Sequence, residues 1–337
     1  MPPLPKTARA VAIRDNAGPA TSLYLAPLPL PSPSPGQALV RIHAFGLNRM
    51  DLIQRNGNYP VPAGAPSTLG VEFSGVIESF GSSEHGEFSV GDEVFGLAYG
   101  GAYATHIAVS IRMLLPRPAH LSAVQAAAIP ETWITATQAL HFILGGAKGK
   151  SILWHAGASG VSIAGIQLSR LDGASNVFAT AGTGDKCAFV EKELGVSKAF
   201  NYKEEDWVEG VMKETDGKGV DLVVDFVGGS YFQKNLDVVA RDGRICMLGL
   251  MGGGTVDKVD IGKLLYKRVR VEGSTLRSRD EEYQGRLRDK LEEYLGLFEN
   301  GELKVFVDTV LPWNEIVKAH QLLEANKTMG KIVCTVE

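Results

Sequence analysis

The sequence predicts an α/β protein in which an antiparallel β domain is joined to a doubly wound parallel sheet. Up to about residue 122, short runs of alternating apolar and polar residues are separated by glycine and proline. Such runs are typical of antiparallel strands. Between residues 151 and 275, apolar runs alternate with segments of helical composition, which is typical of β–α–β units and a parallel sheet.

The first domain is expected to be barrel-like or folded over on itself. Its clearest strand candidates are Ala38–Ala44, Gly75–Phe80 and Asp92–Phe95. Proline stands at every second position from Pro27 to Pro35, a pattern that fits either a polyproline ligand or a stiff surface loop between strands. The surface loop is the favoured interpretation.

Residues Ser151–Ile163 carry the strongest functional signal in the chain. The apolar run Ile152–Trp154 stops at small residues, and the apolar-periodic stretch Val161–Leu171 follows. This pattern predicts a buried strand that turns tightly into a helix. Because a helix N-terminus has unpaired N–H groups and a partial positive charge, the turn suits a pyrophosphate and indicates a dinucleotide site.

The turn alone does not exclude an ordinary β–α loop, because Ala156, Ser159 and Ser162 do not match the spacing G-x-G-x-x-G. The downstream pattern favours the dinucleotide site. Five more strands are predicted, at Asn176–Thr180, Lys198–Asn201, Val220–Val227, Gly243–Gly249 and Val269–Thr275. Helical segments lie between most of them, at Asp185–Leu194, Glu204–Glu214 and Tyr231–Ala240. Six strands at this spacing predict a Rossmann sheet with its ligand at the carboxyl ends of the strands.

The last part of the chain is predicted to return to the first domain. From about Asp280 the sequence becomes helical, and it then forms a strand, a helix and a strand at Val305–Leu311, Trp313–Ala325 and Lys331–Val336. The predicted domains are therefore residues 1–122, 123–276 and 277–337, the first and third forming one domain. The β domain is expected to supply one wall of the substrate cleft.

The composition is that of an ordinary globular protein without charge bias. The 337 residues are 45% apolar and 21% charged, with a net charge of −4. These values give no reason to expect a nucleic-acid or membrane partner, and no run of 18 apolar residues is present. The N-terminus lacks the apolar core of a signal peptide, so we expect a cytoplasmic protein. Three cysteines (Cys187, Cys246 and Cys334) are too few for a disulfide framework.

Several motifs resemble the zinc-independent quinone oxidoreductases of the medium-chain dehydrogenase/reductase superfamily. The most specific ones are GLNRMDLIQRNGNYP (46–60), LGVEFSGVI (69–77), AAAIPETWITA (126–136), HAGASGVS (155–162) and EANKTMGKIV (324–333). The runs GLMGGG (249–254) and LRSRD (276–280) resemble the stress-induced branch of that family. The resemblance covers essentially the whole chain. It implies a GroES-like β domain, a Rossmann domain and reduction of a quinone.

The resemblance also implies that no metal takes part. Zinc-dependent relatives carry a cysteine near the position of Asn48, and they read G-H-E where this chain has Gly70, Val71 and Glu72. Val71 cannot bind a metal, and an amide is a poor substitute for a thiolate. No cysteine precedes Cys187, so the four-cysteine lobe of those relatives is missing. Glu72 is expected to be a structural acid.

The resemblance implies that Tyr59 lines the substrate site, where its phenol would bind the quinone oxygen or donate a proton. A packed loop aromatic is the alternative. Asn48 and Asp51 resemble a polar pair near the nicotinamide, although Asp51 could equally cap the helix that runs through Gln54. His155 ends the first Rossmann strand, and we expect it to pack beneath the turn rather than to act in catalysis.

The end of the second Rossmann strand favours NADPH over NADH. NAD-specific folds place an acid there to bind the ribose diol, whereas residues 179–183 contain none. The resemblance implies that Gly182, Lys186 and Tyr202 surround the 2′-phosphate and the adenine. Asp185 is the one residue that argues against NADPH, because its carboxylate could bind the ribose diol of NADH. It could also be a solvated acid at the start of a helix.

The resemblance places further residues against the cofactor. They are Thr135, Ser159, Gly160, Val161, Gly249, Leu250, Met251, Ser274, Leu276 and Asn326. Relatives usually have glycine where Ser162 stands, so its side chain is expected to shift the following helix slightly outward.

The leading hypothesis is an NADPH-dependent, zinc-free quinone reductase. An enone or 2-enoyl-thioester reductase is the second enzymatic possibility. A crystallin-like protein that binds NADPH without useful turnover is the third. We also expect a homodimer, because the outer strand Val269–Thr275 would leave an open sheet edge for the same strand of a second copy.

Overall fold

The computed structural model describes residues 4–83 and 85–336. Residues 1–3 and Glu337 lie outside the described residues. They include the start of the N-terminal segment that was predicted to lack a signal peptide. The chain forms two compact units: residues up to Ile134 together with those from Arg277, and residues Thr135–Leu276.

The first stretch of the chain builds most of the β unit. Its elements are β1 (Thr7–Ile13), β2 (Leu23–Pro29), β3 (Gln37–Gly46), α1 (Arg49–Arg55), β4 (Glu72–Phe80), β5 (Glu93–Leu97), β6 (His106–Ser110), β7 (Leu114–Pro116), α2 (Ala123–Ala126) and α3 (Pro130–Thr137). A π-helical turn at Gln138–Ile143 follows α3.

The middle stretch alternates strands and helices. Its elements are β8 (Ser151–Trp154), α4 (Gly160–Leu171), β9 (Asn176–Ala181), α5 (Gly184–Leu194), β10 (Lys198–Asn201), α6 (Trp207–Glu214), β11 (Val220–Asp225), α7 (Tyr231–Val238), β12 (Val239–Met247), α8 (Gly262–Lys267) and β13 (Arg270–Gly273). The last stretch contains α9 (Glu281–Glu292), α10 (Leu295–Glu299), β14 (Val307–Pro312), α11 (Ile316–Glu324) and β15 (Lys331–Thr335).

The β unit is built on a seven-stranded sheet that the two ends of the chain form together. Its order is β14-β15-β3-β4-β5-β7, with β6 also paired to β3, and β1 and β2 form a separate hairpin. All pairs in the larger sheet except β14–β15 are antiparallel. Strand β15 pairs with β3, so a C-terminal strand lies in the same sheet as the strands of the first stretch.

The second unit is a six-stranded parallel sheet in the order β10-β9-β8-β11-β12-β13. This is the doubly wound order, in which successive strands are added outward from β8 on one side and outward from β11 on the other. Leu222, Val223 and Val224 of β11 are completely buried, as expected for a central strand covered on both faces. The predicted fold class is confirmed.

Close packing fixes the turn between β8 and α4. Trp154 at the end of β8 is completely buried, and its indole N–H donates to Ser169 Oγ at 3.0 Å. A Cβ at Gly165 would lie 2.1 Å from the Trp154 ring. Helix α4 therefore rests directly on the ring, and only glycine permits this approach.

Some element ends differ from the prediction for local reasons. Helix α6 begins at Trp207 rather than at Glu204, because the Asp206 carboxylate caps it by accepting the Val208 N–H at 2.9 Å. Glu205 instead accepts the Asn201 N–H at 2.7 Å. Within the described residues, no helix is both long and apolar enough to span a membrane.

Candidate active site

Helix α1 begins at a buried polar junction in the β unit. Asn48 is the N-cap residue, and its backbone N–H donates to Asp51 Oδ2 at 2.8 Å. The completely buried Asp51 carboxylate also accepts the Tyr103 hydroxyl at 2.9 Å and the Gly70 N–H at 3.2 Å. Burial raises the pKa of Asp51 to about 6, although these hydrogen bonds act against the shift. Asp51 thus caps α1 and also ties this helix to Tyr103.

Lys331 joins this junction to β4. Its ammonium lies 2.5 Å from Glu72 Oε1 and donates to Asn48 Oδ1 and Leu47 O, each at 2.7 Å. Asn48 Nδ2 donates to the same Glu72 oxygen at 2.8 Å. Both Glu72 and Lys331 are buried. Three acceptors therefore use the three N–H bonds of the ammonium, and the buried pair is fully hydrogen-bonded.

Glu131 adds a second carboxyl beside Glu72. It lies in the first turn of α3, and its backbone N–H donates to Glu72 Oε2 at 2.9 Å. Although part of the residue is exposed, desolvation of the carboxyl raises the pKa of Glu131 to about 8. The charge of Glu72 adds to this rise, whereas Lys331 and Arg277 oppose it.

Tyr59 is half-buried and lies under a guanidinium. The centre of the Arg277 guanidinium is 5.4 Å from the centroid of the Tyr59 ring, within cation–π range. Arg277 is held in place by Gln54 Oε1, at 2.6 Å from Nη1, and by the Tyr99 carbonyl. Burial raises the pKa of the Tyr59 phenol; the charge of Glu131 adds to the rise and that of Arg277 opposes it.

The β8–α4 turn of the second unit has the features of an anion site. Ser159 is the N-cap of α4, and its hydroxyl accepts the Ser162 N–H at 3.4 Å. Gly160 and Val161 follow in the first turn, where the helix offers no acceptor for N–H groups. Ser162 is completely buried, and its hydroxyl donates to the His155 carbonyl at 2.7 Å. The turn thus accommodates the Ser162 side chain through a hydrogen bond to the residue that follows β8.

His155 packs beneath this turn. Its Nδ1 lies 2.9 Å from Thr180 Oγ1 and its Nε2 lies 2.7 Å from Asn235 Oδ1. Asn235 in turn donates to Asp225 Oδ2 at 3.0 Å. Burial lowers the pKa of His155, so the imidazole is neutral and joins β8, β9 and α7. This position confirms the structural role expected of it.

The residues expected around the 2′-phosphate gather where β9 and β10 end. A Cβ at Gly182 would lie 2.8 Å from the Tyr202 hydroxyl, so these two residues are in close contact. Thr183 caps α5 by accepting the Lys186 N–H at 3.3 Å. Asp185 is exposed in the first turn of α5.

The other expected cofactor residues are spread over both units. Gly249, Leu250 and Met251 form the loop after β12, and the side chains of Leu250 and Met251 are exposed. Ser274 follows β13 and donates its N–H to Met247 O at 3.0 Å, and Leu276 is buried. Thr135 lies in α3. Asn326 lies in the β unit with Asn48, Asp51 and Tyr59, and its side-chain oxygen accepts from Arg49.

Sequence reasoning missed three charged residues of the β unit: Glu131, Arg277 and Lys331. Glu131 had a visible signal, because it is a lone acid within the apolar run AAAIPETW. Lys331 is similarly the only charged residue in the buried strand β15. Arg277 carried no comparable signal, since the run LRSRD looks like a solvated surface loop.

Comparison with known proteins gives two family matches. Residues 34–119 match the alcohol dehydrogenase GroES-like domain, and residues 160–293 match the zinc-binding dehydrogenase family. A quinone oxidoreductase of Pseudomonas aeruginosa is 32% identical over 296 residues, which cover 87% of this chain and 89% of the relative.

Two solved structures are also similar. The CurK enoyl reductase has a TM-score of 0.84 at 26% identity and covers 98% of this chain and 99% of its own. A mycobacterial protein in complex with NADPH has a TM-score of 0.85 at 28% identity and covers 97% of this chain and 99% of its own.

Proposed function

The chain belongs to the quinone oxidoreductase group of the medium-chain dehydrogenase/reductase superfamily, and from this premise we propose that it transfers hydride from NADPH to quinones without a metal ion. The observation that carries the proposal is the buried group of Asn48, Glu72 and Lys331. Because these side chains do not suit a zinc ion, we propose no Lewis acid that would lower the pKa of a bound alcohol for its oxidation. A quinone needs less activation, because it accepts hydride readily and then a proton.

The donor set of this group does not fit zinc. Catalytic zinc takes three protein ligands of nitrogen, thiolate or carboxylate type. Of Asn48, Glu72 and Lys331, only Glu72 has a carboxylate, and Lys331 is already bonded to both Glu72 Oε1 and Asn48 Oδ1. A divalent cation would have to displace a buried ammonium or bear its repulsion at close range. Among the residues described, no three histidine, cysteine or acidic side chains are grouped as metal ligands.

The second unit fits NADPH. The N–H groups of Gly160 and Val161 would hold the pyrophosphate, and Lys186 with Thr183 would hold the 2′-phosphate. Tyr202, which is 44% exposed, offers a ring face to the adenine. The cofactor supplies the hydride, and the chain supplies its orientation. The similarity to the mycobacterial protein solved with NADPH supports this choice.

The proposal includes a homodimer joined through β13. This strand stands last in the order of the parallel sheet, and Val271 in it is 36% exposed. The neighbouring α8 segment exposes Ile261, Leu265 and Tyr266 by 70%, 72% and 74%. Large exposed apolar side chains beside an open sheet edge favour association with a second copy.

The proposal also places the enzyme in the cytoplasm. All three cysteines are free thiols, and Cys246 and Cys334 are buried. Free thiols suit a reducing compartment.

An enone or 2-enoyl-thioester reductase is the second candidate, supported by the similarity to the CurK enoyl reductase. Both reactions add hydride to a conjugated acceptor and leave an anion that needs a proton. Both candidate reactions therefore require that the residues around Tyr59 deliver a proton to this anion.

The test is oxidation of NADPH by the purified protein with a panel of quinones, enones and 2-enoyl thioesters. We expect fast turnover with quinones, no stoichiometric zinc by elemental analysis, and no effect of chelators. Turnover with enoyl thioesters alone would favour the second candidate. NADPH binding without oxidation by any acceptor would favour a crystallin-like protein, and one tightly bound zinc per chain would overturn the metal-free mechanism.

A further inference from the structure

Arg277 is a buried cation without an ion pair. Three lysine and arginine residues are buried in the described part of the chain, namely Arg55, Lys331 and Arg277, with exposed fractions of 1%, 5% and 5%. Arg55 is paired with Glu324, and Lys331 is paired with Glu72. Arg277 has no carboxylate partner among the same residues. A charge removed from water is costly unless an opposite charge compensates it, so this exception calls for a physical reason.

Neutral groups hold the Arg277 guanidinium in place. Its Nη1 donates to Gln54 Oε1 at 2.6 Å, and its Nε donates to the Tyr99 carbonyl. The remaining nitrogen, Nη2, is buried and forms no hydrogen bond with a described residue. The charges of Asp51 and Glu131 act on the guanidinium from a longer range, since neither carboxyl is paired with it. The cation is thus fixed in one orientation while its charge stays largely uncompensated.

The ring of Tyr59 lies beside this cation. The centre of the guanidinium is 5.4 Å from the ring centroid, within cation–π range. Tyr59 is half-buried, and no described residue forms a hydrogen bond with its hydroxyl. The nearby Tyr99 differs in this respect, because its hydroxyl donates to the Arg279 carbonyl at 2.8 Å. The Tyr59 ring is therefore held by a cation, while its hydroxyl remains available to a ligand.

We propose that Arg277 is a positioning residue, which aims the Tyr59 hydroxyl at the acceptor oxygen and stabilises the negative charge that forms during reduction. This inference rests on the proposed function. The acceptor takes a hydride from the nicotinamide C–H bond and becomes an anion, and its oxygen then takes the Tyr59 proton. Solvent returns a proton to the phenolate. The acceptor is thereby reduced, the nicotinamide is oxidised, and one proton is taken from solvent.

The missing ion pair has a function in this scheme. A carboxylate bonded to Arg277 would neutralise the guanidinium before the reaction begins. An unpaired cation that is already fixed in place can instead stabilise the developing anion without reorganisation. Arginine suits the position better than lysine, because a planar guanidinium can stack on a ring while its N–H groups hold two acceptors.

The first test needs neither cofactor nor turnover. A fluorinated tyrosine at position 59, whose phenol ionises at lower pH than that of tyrosine, would be titrated by ¹⁹F NMR. Arg277→Gln should raise the pKa of this phenol, because the cation that favours the phenolate is lost. Arg279→Gln is the matched control, since the Arg279 guanidinium lies 4.6 Å from the Tyr283 ring centroid instead. It should leave the titration nearly unchanged. Equal titration curves for native protein and Arg277→Gln would overturn the inference.

The second test uses turnover of the intact enzyme. Arg277→Gln should lower kcat with quinones by about 10²-fold, the scale of losing one preorganised stabilising group, and should leave NADPH affinity nearly unchanged. Arg277→Lys should restore part of the rate. In a Tyr59→Phe background the same substitutions should have little further effect, because Arg277 acts through the phenol.

The double variant separates this role from a merely structural one. An equal loss of kcat from Arg277→Gln with and without the Tyr59 hydroxyl would overturn the inference. Circular dichroism shows whether each variant is folded. If Arg277→Gln does not fold, the same comparison is made with Arg277→Lys, whose smaller loss should again disappear in the Tyr59→Phe background. A native enzyme inactive on every acceptor would instead refute the proposed function, and the ¹⁹F titration would still decide whether Arg277 acts on the phenol.

Discussion

At the residue scale, we predict that a single lysine determines the proposed preference for NADPH over NADH. Lys186 on α5 follows the capping Thr183, and residues 179–183 contain no acid for a ribose diol. Lys186→Ala should weaken NADPH binding by about 1–3 kcal/mol, the scale of a lost charge-assisted hydrogen bond, and leave NADH binding nearly unchanged. Calorimetric titration measures both affinities. Lys192→Ala, on the same helix but in its last turn, is the control. Equal affinity of the native protein for the two cofactors would contradict the assignment.

Glu131 should also make the stability of the protein depend on pH. Its pKa rises from 4.5 to about 8 on folding, so the native state binds a proton that the unfolded chain has already lost. This contribution is fully present below pH 4.5 and disappears as the pH rises through about 8. Native protein should therefore lose more stability than Glu131→Gln between these limits. Urea unfolding at several pH values measures the difference, and parallel curves for the two proteins would refute it.

The sequence supported part of this site and not the rest, for a physical reason. Asn48, Asp51 and Tyr59 lie within a single short motif, so a local pattern could point to them. Lys331 is 283 positions from Asn48, and their contact depends on β15 pairing with β3. A single charged residue in an apolar strand indicates that its side chain is buried. The residue with which it pairs is determined by the fold and cannot be identified from the strand alone.

At the scale of elements, burial explains which predictions were accurate. Strand β10 was placed at its observed bounds and β9 to within one residue, because apolar runs between turn signals mark buried parallel strands. Strand β12 begins at Val239, four residues before the predicted Gly243, since β11 continues to offer it a partner from Val220 onward. The start of α6 was misplaced because several acids there could cap the helix. Glu205 instead accepts the Asn201 N–H, and Asp206 is the residue that caps α6.

The contact of α4 with β8 can be tested by a substitution that adds a single methyl group to α4. A Cβ at Gly165 would meet the Trp154 ring at 2.1 Å, so Gly165→Ala forces the helix or the indole to move. We expect a loss of about 1–3 kcal/mol in the free energy of unfolding, as for other overpacked cores, and weaker NADPH binding because the turn moves with the helix. Gly296→Ala in α10 meets nothing within 4 Å and should be neutral or slightly stabilising. Equal stability of the two variants by urea unfolding would show that the ring contact is unimportant.

At the scale of the whole molecule, the two sheets end in different kinds of edge strand. In the parallel sheet, β13 is short and directly follows α8 in the chain, and the α8 segment exposes large apolar side chains. In the other sheet, β14 also stands at the end of the order, but the polar residues Asp308 and Thr309 lie between its two valines. Polar residues on an edge discourage pairing between chains, whereas the apolar surface beside β13 favours it.

This contrast predicts where a second copy binds. Val271→Pro should remove a ladder hydrogen bond on β13 and shift the proposed homodimer towards monomer at micromolar concentration. Val310→Pro makes the same change on β14, the edge strand of the other sheet, and should leave the association unchanged while costing comparable stability. Sedimentation velocity distinguishes the two outcomes, and circular dichroism shows that both variants are folded. Because a two-fold interface uses one strand twice, a single substitution alters both halves of the contact, and the effect on association should exceed the effect on stability. A native protein that sediments as a monomer, or equal dissociation of both variants, would place the interface elsewhere.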